Sequence, residues 1–273
     1  MVSMSLFWLR IAVFLYGLSM MYALVALLRR REILSRATLP IAGVAVTLHG
    51  VALVEAFVSG GMAGSPLHQS ESLLAFLMML LFIGVYYIYR TTSPGIIVLP
   101  IAFLLSLSAA LAQGAPQLIS PELRGGWIYT HIILILVGYS ALFFSFIASV
   151  LYLLHERSLK RKDLNGIGGK LPALETIDNI GYRLLLIGFP FMTIGLIAGS
   201  VLAQMQYGPS YFQDPKIVLS LLMWGVYTLM LYTRWNSGWR GRRAALLSAF
   251  AFAAALSVWA ANYFSGVHRF VSP

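Results

Sequence analysis

The sequence predicts an all-α, polytopic integral membrane protein. Three observations carry that prediction: apolar runs of spanning length, scarce charge, and basic residues gathered on one side of the runs. Hydrophobic residues fill 59% of the 273 positions and charged residues 10%, for a mean hydropathy of +0.82, which no ordinary water-soluble domain shows. Eight apolar runs lie near 6–28, 38–58, 71–89, 94–112, 127–154, 181–205, 216–234 and 244–264. Each approaches or exceeds the roughly 18 to 25 residues that cross a ~30 Å hydrocarbon layer as a helix. With the loops assigned alternately to two sides, fifteen of the nineteen basic residues fall on one side, from Arg29-Arg30-Arg31 to Arg242-Arg243. Only Arg10, Arg124, Lys216 and Arg269 fall on the other. The positive-inside rule then puts the first side in the cytoplasm and both termini on the extracytoplasmic side. The formal charge of +10 is thereby a topology signal, and the expected partner is the lipid bilayer rather than nucleic acid. Residues 1–273 read as a single transmembrane helical domain without repeats. The absence of cysteine excludes disulfides, thiolate ligands, a cysteine nucleophile and covalent attachment of a cofactor through thiols of the chain.

Each element has its own signal. The first segment ends in Arg29-Arg30-Arg31 and shows neither a basic leader nor a small-residue cleavage site, so it reads as a retained helix. The second carries His49 near its middle and Glu55 near its outer end, and ionisable groups at that depth need a partner or a task. A neutral His49 can bond a hydroxyl on a neighbouring helix, or it can serve as a ligand. Turn formers after Ser59 lead to His68 and Glu71 at the start of the third helix, where Gln69 or Ser70 can cap. Arg90 to Pro94 is short enough to force an antiparallel hairpin with the fourth helix. An outer loop bearing Arg124 follows.

The fifth helix begins Trp127-Ile128-Tyr129-Thr130-His131, which sets an imidazole about one turn inside the outer boundary. His155 to Asn179 is then the longest soluble stretch, and its glycines lack the spacing and the Lys-Ser/Thr of a phosphate cradle. The sixth helix holds Gly188-Phe189-Pro190, a kink signal, and Gly195 with Gly199, a small-xxx-small face. It delivers the chain to a polar loop containing Tyr207, Tyr211, Phe212 and Asp214. Asp214-Pro215-Lys216 reads as the start of the seventh helix, with Asp as cap and Pro in the first turn, and the aromatics suit the membrane boundary. The seventh helix returns to the basic loop Arg234 to Arg243, and the eighth climbs out to Gly266-Val267-His268-Arg269.

Topology alone gathers His68, His131, His268, the aromatic loop and Asp214 on the outer face. Haem suits that set: it takes axial imidazoles, an aromatic wall for the porphyrin, and cations such as Arg124, Lys216 or Arg269 for its propionates. Without cysteine it would be a non-covalent, b-type haem.

Several stretches resemble the cytochrome c assembly proteins of the CcsA and CcmC type, and within them the HemX/YpjD-like branch. The resemblance is carried by His131 with Gly138-Tyr139-Ser140, Asp178-Asn179-Ile180-Gly181-Tyr182-Arg183, Gly188-Phe189-Pro190, Asp214-Pro215-Lys216, Gly238-Trp239-Arg240-Gly241-Arg242-Arg243 and Gly266-Val267-His268. It implies that His131 and His268, flanking the family's tryptophan-rich loop, ligate haem iron. Tyr207, Tyr211 and Phe212 stand where that loop carries tryptophans, and Tyr232 stands where assembly members carry an inner histidine. The resemblance also implies a partner: a haem acceptor or another cytochrome c assembly protein, or, as in the HemX-like branch, a cytoplasmic tetrapyrrole-synthesis enzyme.

The expected function is haem binding and handling in cytochrome c assembly or haem homeostasis, in a bacterial cytoplasmic membrane and without covalent catalysis. No nucleophile–base pair or carboxylate pair converges at a readable spacing. Two other readings stand beside it: a transporter whose path is lined by His49, Glu55 and Glu71, and a scaffold that regulates a cytoplasmic enzyme through the loops at 155–180 and 234–243.

Overall fold

The computed structural model describes residues 4–29, 32–59, 66–112, 126–162 and 171–261, with all their side chains except those of 27–29, 32–36 and 66. Among these residues there is no strand. The α-helices are α1 (Met4–Arg29), α2 (Glu32–Val58), α3 (Pro66–Tyr89), α4 (Gly95–Leu111), α5 (Gly126–Lys160), α6 (Leu174–Tyr207), α7 (Pro215–Asn236) and α8 (Arg242–Ala260). Lipid offers backbone amides no partners, so helices that satisfy their own N–H and C=O groups are the available solution for such a sequence. Seven of the eight are long and apolar enough to cross a membrane. The exception, α4, has 17 residues, roughly 25 Å of rise. The protein is a multi-pass membrane protein.

The structure moves several expected boundaries: α2 begins at Glu32 rather than near 38, α3 at Pro66 rather than near 71, and α5 runs on to Lys160 rather than ending near 154. The sixth helix begins at Leu174 rather than near 181, because Ile177 and Ile180 continue its apolar face into the core and are buried. Within 155–179, residues 155–160 and 174–179 are helical, more than the polar composition of that stretch predicts. The aromatic loop after α6 is also ordered, as a 3-10 turn over Gly208–Gln213. Gly208 makes this possible by closing α6 at a φ of 64°, a conformation that a side chain disfavours.

The helices form two compact units, residues 1–119 and 120–273. In the first, α1 packs against α2 and α4, and α3 joins α4 and α2. Leu9, Ala52 and Ala109 lie fully buried at its core. The second is organised on the antiparallel pair α5 and α6, with α8 against α5, and α7 against α8 and α6. Since lipid is as apolar as leucine, close packing rather than water exclusion must hold such a pair together. Small residues provide it here. A Cβ on Gly188 would come within 2.5 Å of the Ala141 Cβ, and one on Gly181 within 3.2 Å of the Ala148 Cβ.

At one end of this unit Asp178 of α6 binds Arg234 of α7 in a two-pronged ion pair, with Nη1 donating to Oδ1 at 3.0 Å and Nη2 to Oδ2 at 2.6 Å. The Gly241 N–H also donates to Asp178 Oδ1, and Arg234 Nη1 donates to the Trp239 carbonyl. The guanidinium lies over the Tyr182 ring at 4.6 Å. Both side chains are mostly buried, at 9% and 13% exposure, so removing one partner would strand a charge at a cost of about 3–5 kcal/mol. The pair thereby fixes the α7–α8 turn onto the start of α6.

Candidate functional site

At the other end of the second unit His131, in the second turn of α5, reaches across to α6. Its Nδ1 lies 2.7 Å from the carbonyl oxygen of Gly195. A carbonyl can only accept, so Nδ1 carries the proton and Nε2 presents its lone pair. Nε2 makes no hydrogen bond among the described residues. An imidazole held by Nδ1–H to a backbone carbonyl, with Nε2 uncommitted, is the arrangement that metal-ligating histidines adopt.

Two glycines build this seat. A Cβ on Gly199 would stand 2.7 Å from His131 Nδ1, and one on Gly195 would stand 2.9 Å from Ile135 Cδ1, so the ring and its helix close onto bare backbone. The small-xxx-small face expected for helix contact is thus also the floor under an imidazole. Sequence reasoning did not assign Gly195 and Gly199 that role, because spacing reveals a small face but not the side chain it receives.

Lys216, in the first turn of α7, lies close enough for its charge to act on the His131 ring, and Asp214 acts in turn on Lys216. Asp214 is buried at 8% exposure and caps α7 by accepting from the Lys216 backbone N–H at 2.9 Å. Loss of the cap in Asp214→Ala should lower unfolding stability by about 1 kcal/mol, whereas Asp214→Asn should cost at most a few tenths. Denaturant titration in detergent checks this, and equal losses in the two variants would contradict it. In the 3-10 turn Tyr211 is buried and packs on Phe212 with ring centres 4.1 Å apart, while Phe212 and Tyr207 are exposed.

His268, Arg124 and Arg269 lie outside the described residues. His68 is in the first turn of α3, and His49 is fully buried in the first unit. Both ring nitrogens of His49 are engaged, Nδ1 with Tyr16 Oη at 3.2 Å and Nε2 with Ser72 Oγ at 2.9 Å. In that arrangement His49 ties α1, α2 and α3 together. Glu71 accepts from Ser108 Oγ at 2.8 Å, linking α3 to α4. Tyr232 is 57% exposed between buried Leu231 and Thr233, so it faces outward from its unit.

A family model described as cytochrome c assembly protein matches residues 38–268, most of the chain. The chain belongs to the cytochrome c assembly protein family. It is similar to the cytochrome c biogenesis protein CcsA of Heterosigma akashiwo, 31% identical over 221 residues that cover 67% of this chain and 68% of the relative. The CcsA protein of Guillardia theta is 33% identical over 207 residues, 67% of each chain. That of Gloeobacter violaceus is 27% identical over 250 residues, 71% of this chain and 72% of the relative. The family match takes in α5 to α8 completely, and with them the His131 seat, the Asp214 cap and the Asp178–Arg234 pair of this cytochrome c assembly protein.

Proposed function

We propose that this cytochrome c assembly protein binds and handles haem, held non-covalently as a b-type group, whose iron His131 and His268 would ligate. The observation that carries the reading is the Nδ1–H bond of His131 to the Gly195 carbonyl, which leaves Nε2 for a metal. Bound haem would supply an iron that takes imidazole nitrogens as ligands.

The chain's own residues then have separate tasks. Gly199 gives the His131 ring its place, and Gly195 orients it. Lys216, with Arg124 and Arg269, offers cations to the propionates, while Tyr207, Tyr211 and Phe212 offer aromatic surface. His49 and His68 are assigned only supporting parts, since His49 has both nitrogens satisfied within its unit. In this reading the chain crosses a bacterial cytoplasmic membrane eight times, with both termini and the His131 end outside and the basic loops inside, and it performs no covalent catalysis. Its short, eight-helix length fits the HemX-like branch, and its partner is a haem acceptor, another assembly protein, or a tetrapyrrole enzyme at the cytoplasmic loops.

Absorption spectroscopy of the purified protein tests this. A Soret band and a b-type pyridine haemochrome are expected, with loss of the six-coordinate spectrum in His268→Ala. A protein that neither carries haem nor takes it up on reconstitution would overturn the proposal.

A further inference from the structure

Two of the stretches that carry the family resemblance, around Asp178 and over Gly238 to Arg243, have no part in the histidine seat. They meet around the Asp178–Arg234 pair, at the end of the α5–α8 unit far from His131. Ser149 stands 18 residues beyond His131 on α5, roughly 27 Å along the axis. Between the four helices lies a small pocket of about 40 Å³.

Its exposed wall is mostly apolar, with a few polar groups and one cation that is already paired. Arg234 has five N–H donors, of which three are used on Asp178 and Trp239, leaving two on a side chain that is 9% exposed and lines the pocket. Tyr152 also lines the pocket, and its hydroxyl has no hydrogen bond among the described residues. Ser149 and Thr233 donate their protons to the carbonyls of Ser145 and Met230, which leaves hydroxyl oxygens of the pocket wall as acceptors. Spare donors and spare acceptors together, with the one cation neutralised by Asp178, fit hydroxyl and ester oxygens better than a bare ion.

The rim has the opposite character. Arg183, Arg240, Arg242 and Arg243 are all exposed at this end. The Arg243 guanidinium lies 5.9 Å from the ring centre of Trp239, itself a pocket residue. Trp235, 68% exposed, donates to the Tyr182 hydroxyl at 2.6 Å, as a boundary aromatic would. We infer that the pocket takes the headgroup of an anionic glycerophospholipid, its glycerol hydroxyls among Tyr152, Arg234 and Ser149 and its phosphodiester against Arg243. Clefts between helices that are flanked by cations at a membrane boundary recognise lipid heads in this manner.

The test uses the full-length protein in detergent, with thermal unfolding and native mass spectrometry read against added phosphatidylglycerol, phosphatidylcholine of the same chains, or soluble glycerol 3-phosphate. Phosphatidylglycerol should bind and raise the melting temperature, and the other two should not. Arg243→Gln and Tyr152→Phe should each weaken its binding about fivefold, the expected effect of one surface cation or one hydrogen bond. Arg161→Gln, an exposed charge outside the pocket, should leave it unchanged. Equal response to the two lipids, equal protection by glycerol 3-phosphate, or loss in Arg161→Gln matching that in Arg243→Gln would each overturn the assignment.

Discussion

His131→Ala is expected to strip haem from the purified protein while leaving it inserted and folded. The fold survives because the substitution removes one interhelical hydrogen bond, worth on average about 0.6 kcal/mol inside a membrane. The Gly195 carbonyl also keeps its place in the α6 ladder. Haem binding does not survive. Losing even an outer partner of a metal-bound histidine costs ~10–100-fold in affinity, and loss of the ligand itself should exceed that. Pyridine haemochrome per mole of protein, measured beside size-exclusion profile and circular dichroism, reads both effects. Parental haem content in a folded His131→Ala protein would remove His131 from the site.

The second large effect is expected at Gly199, a residue with no chemistry of its own. In Gly199→Val the new Cβ would stand 2.7 Å from His131 Nδ1, so the ring must leave its seat and give up the Gly195 carbonyl. Overpacking of this kind costs about 1–3 kcal/mol of stability. Haem affinity should also fall by the ~10–100-fold attached to an orienting partner. A plain packing role predicts the first loss without the second, and two other glycines separate them. Gly188→Ala strains the same α5–α6 seam against Ala141, well away from His131, and should lower the melting temperature while sparing haem per folded molecule. Gly225→Ala on α7 meets nothing within 4 Å and should change neither. Gly199→Val that retains parental haem affinity would contradict the seat.

Much of this was legible in the chain before any coordinates. Apolar runs specify membrane helices because lipid leaves the backbone no alternative, and Asp214-Pro215 announced the cap that Asp214 makes on the Lys216 amide. The first turns of α6 were hidden, since Asp178 looks like a loop residue until Arg234, 56 positions away, neutralises it. Order in the 3-10 turn was hidden as well, because Pro209, Ser210 and the aromatics read as loop residues. The histidine seat was half visible. His131 and the Gly195/Gly199 face could each be picked out, but their pairing depends on the register of two antiparallel helices, which local spacing does not encode. His49 shows the reverse case: depth and charge marked it as a candidate ligand, and only the packed neighbours Tyr16 and Ser72 reveal both of its nitrogens engaged.

The central claim is that His131 Nε2 is a ligand to haem iron, and imidazole rescue tests it most directly. In His131→Gly the ring is absent while the bare backbone of Gly195 and Gly199 still outlines its place. Free imidazole supplied together with haem should restore haem binding and the parental six-coordinate absorption spectrum, and 2-methylimidazole, whose bulk hinders close approach to the iron, should not. A His131→Gly protein that shows the parental six-coordinate spectrum before any imidazole is added would contradict the account.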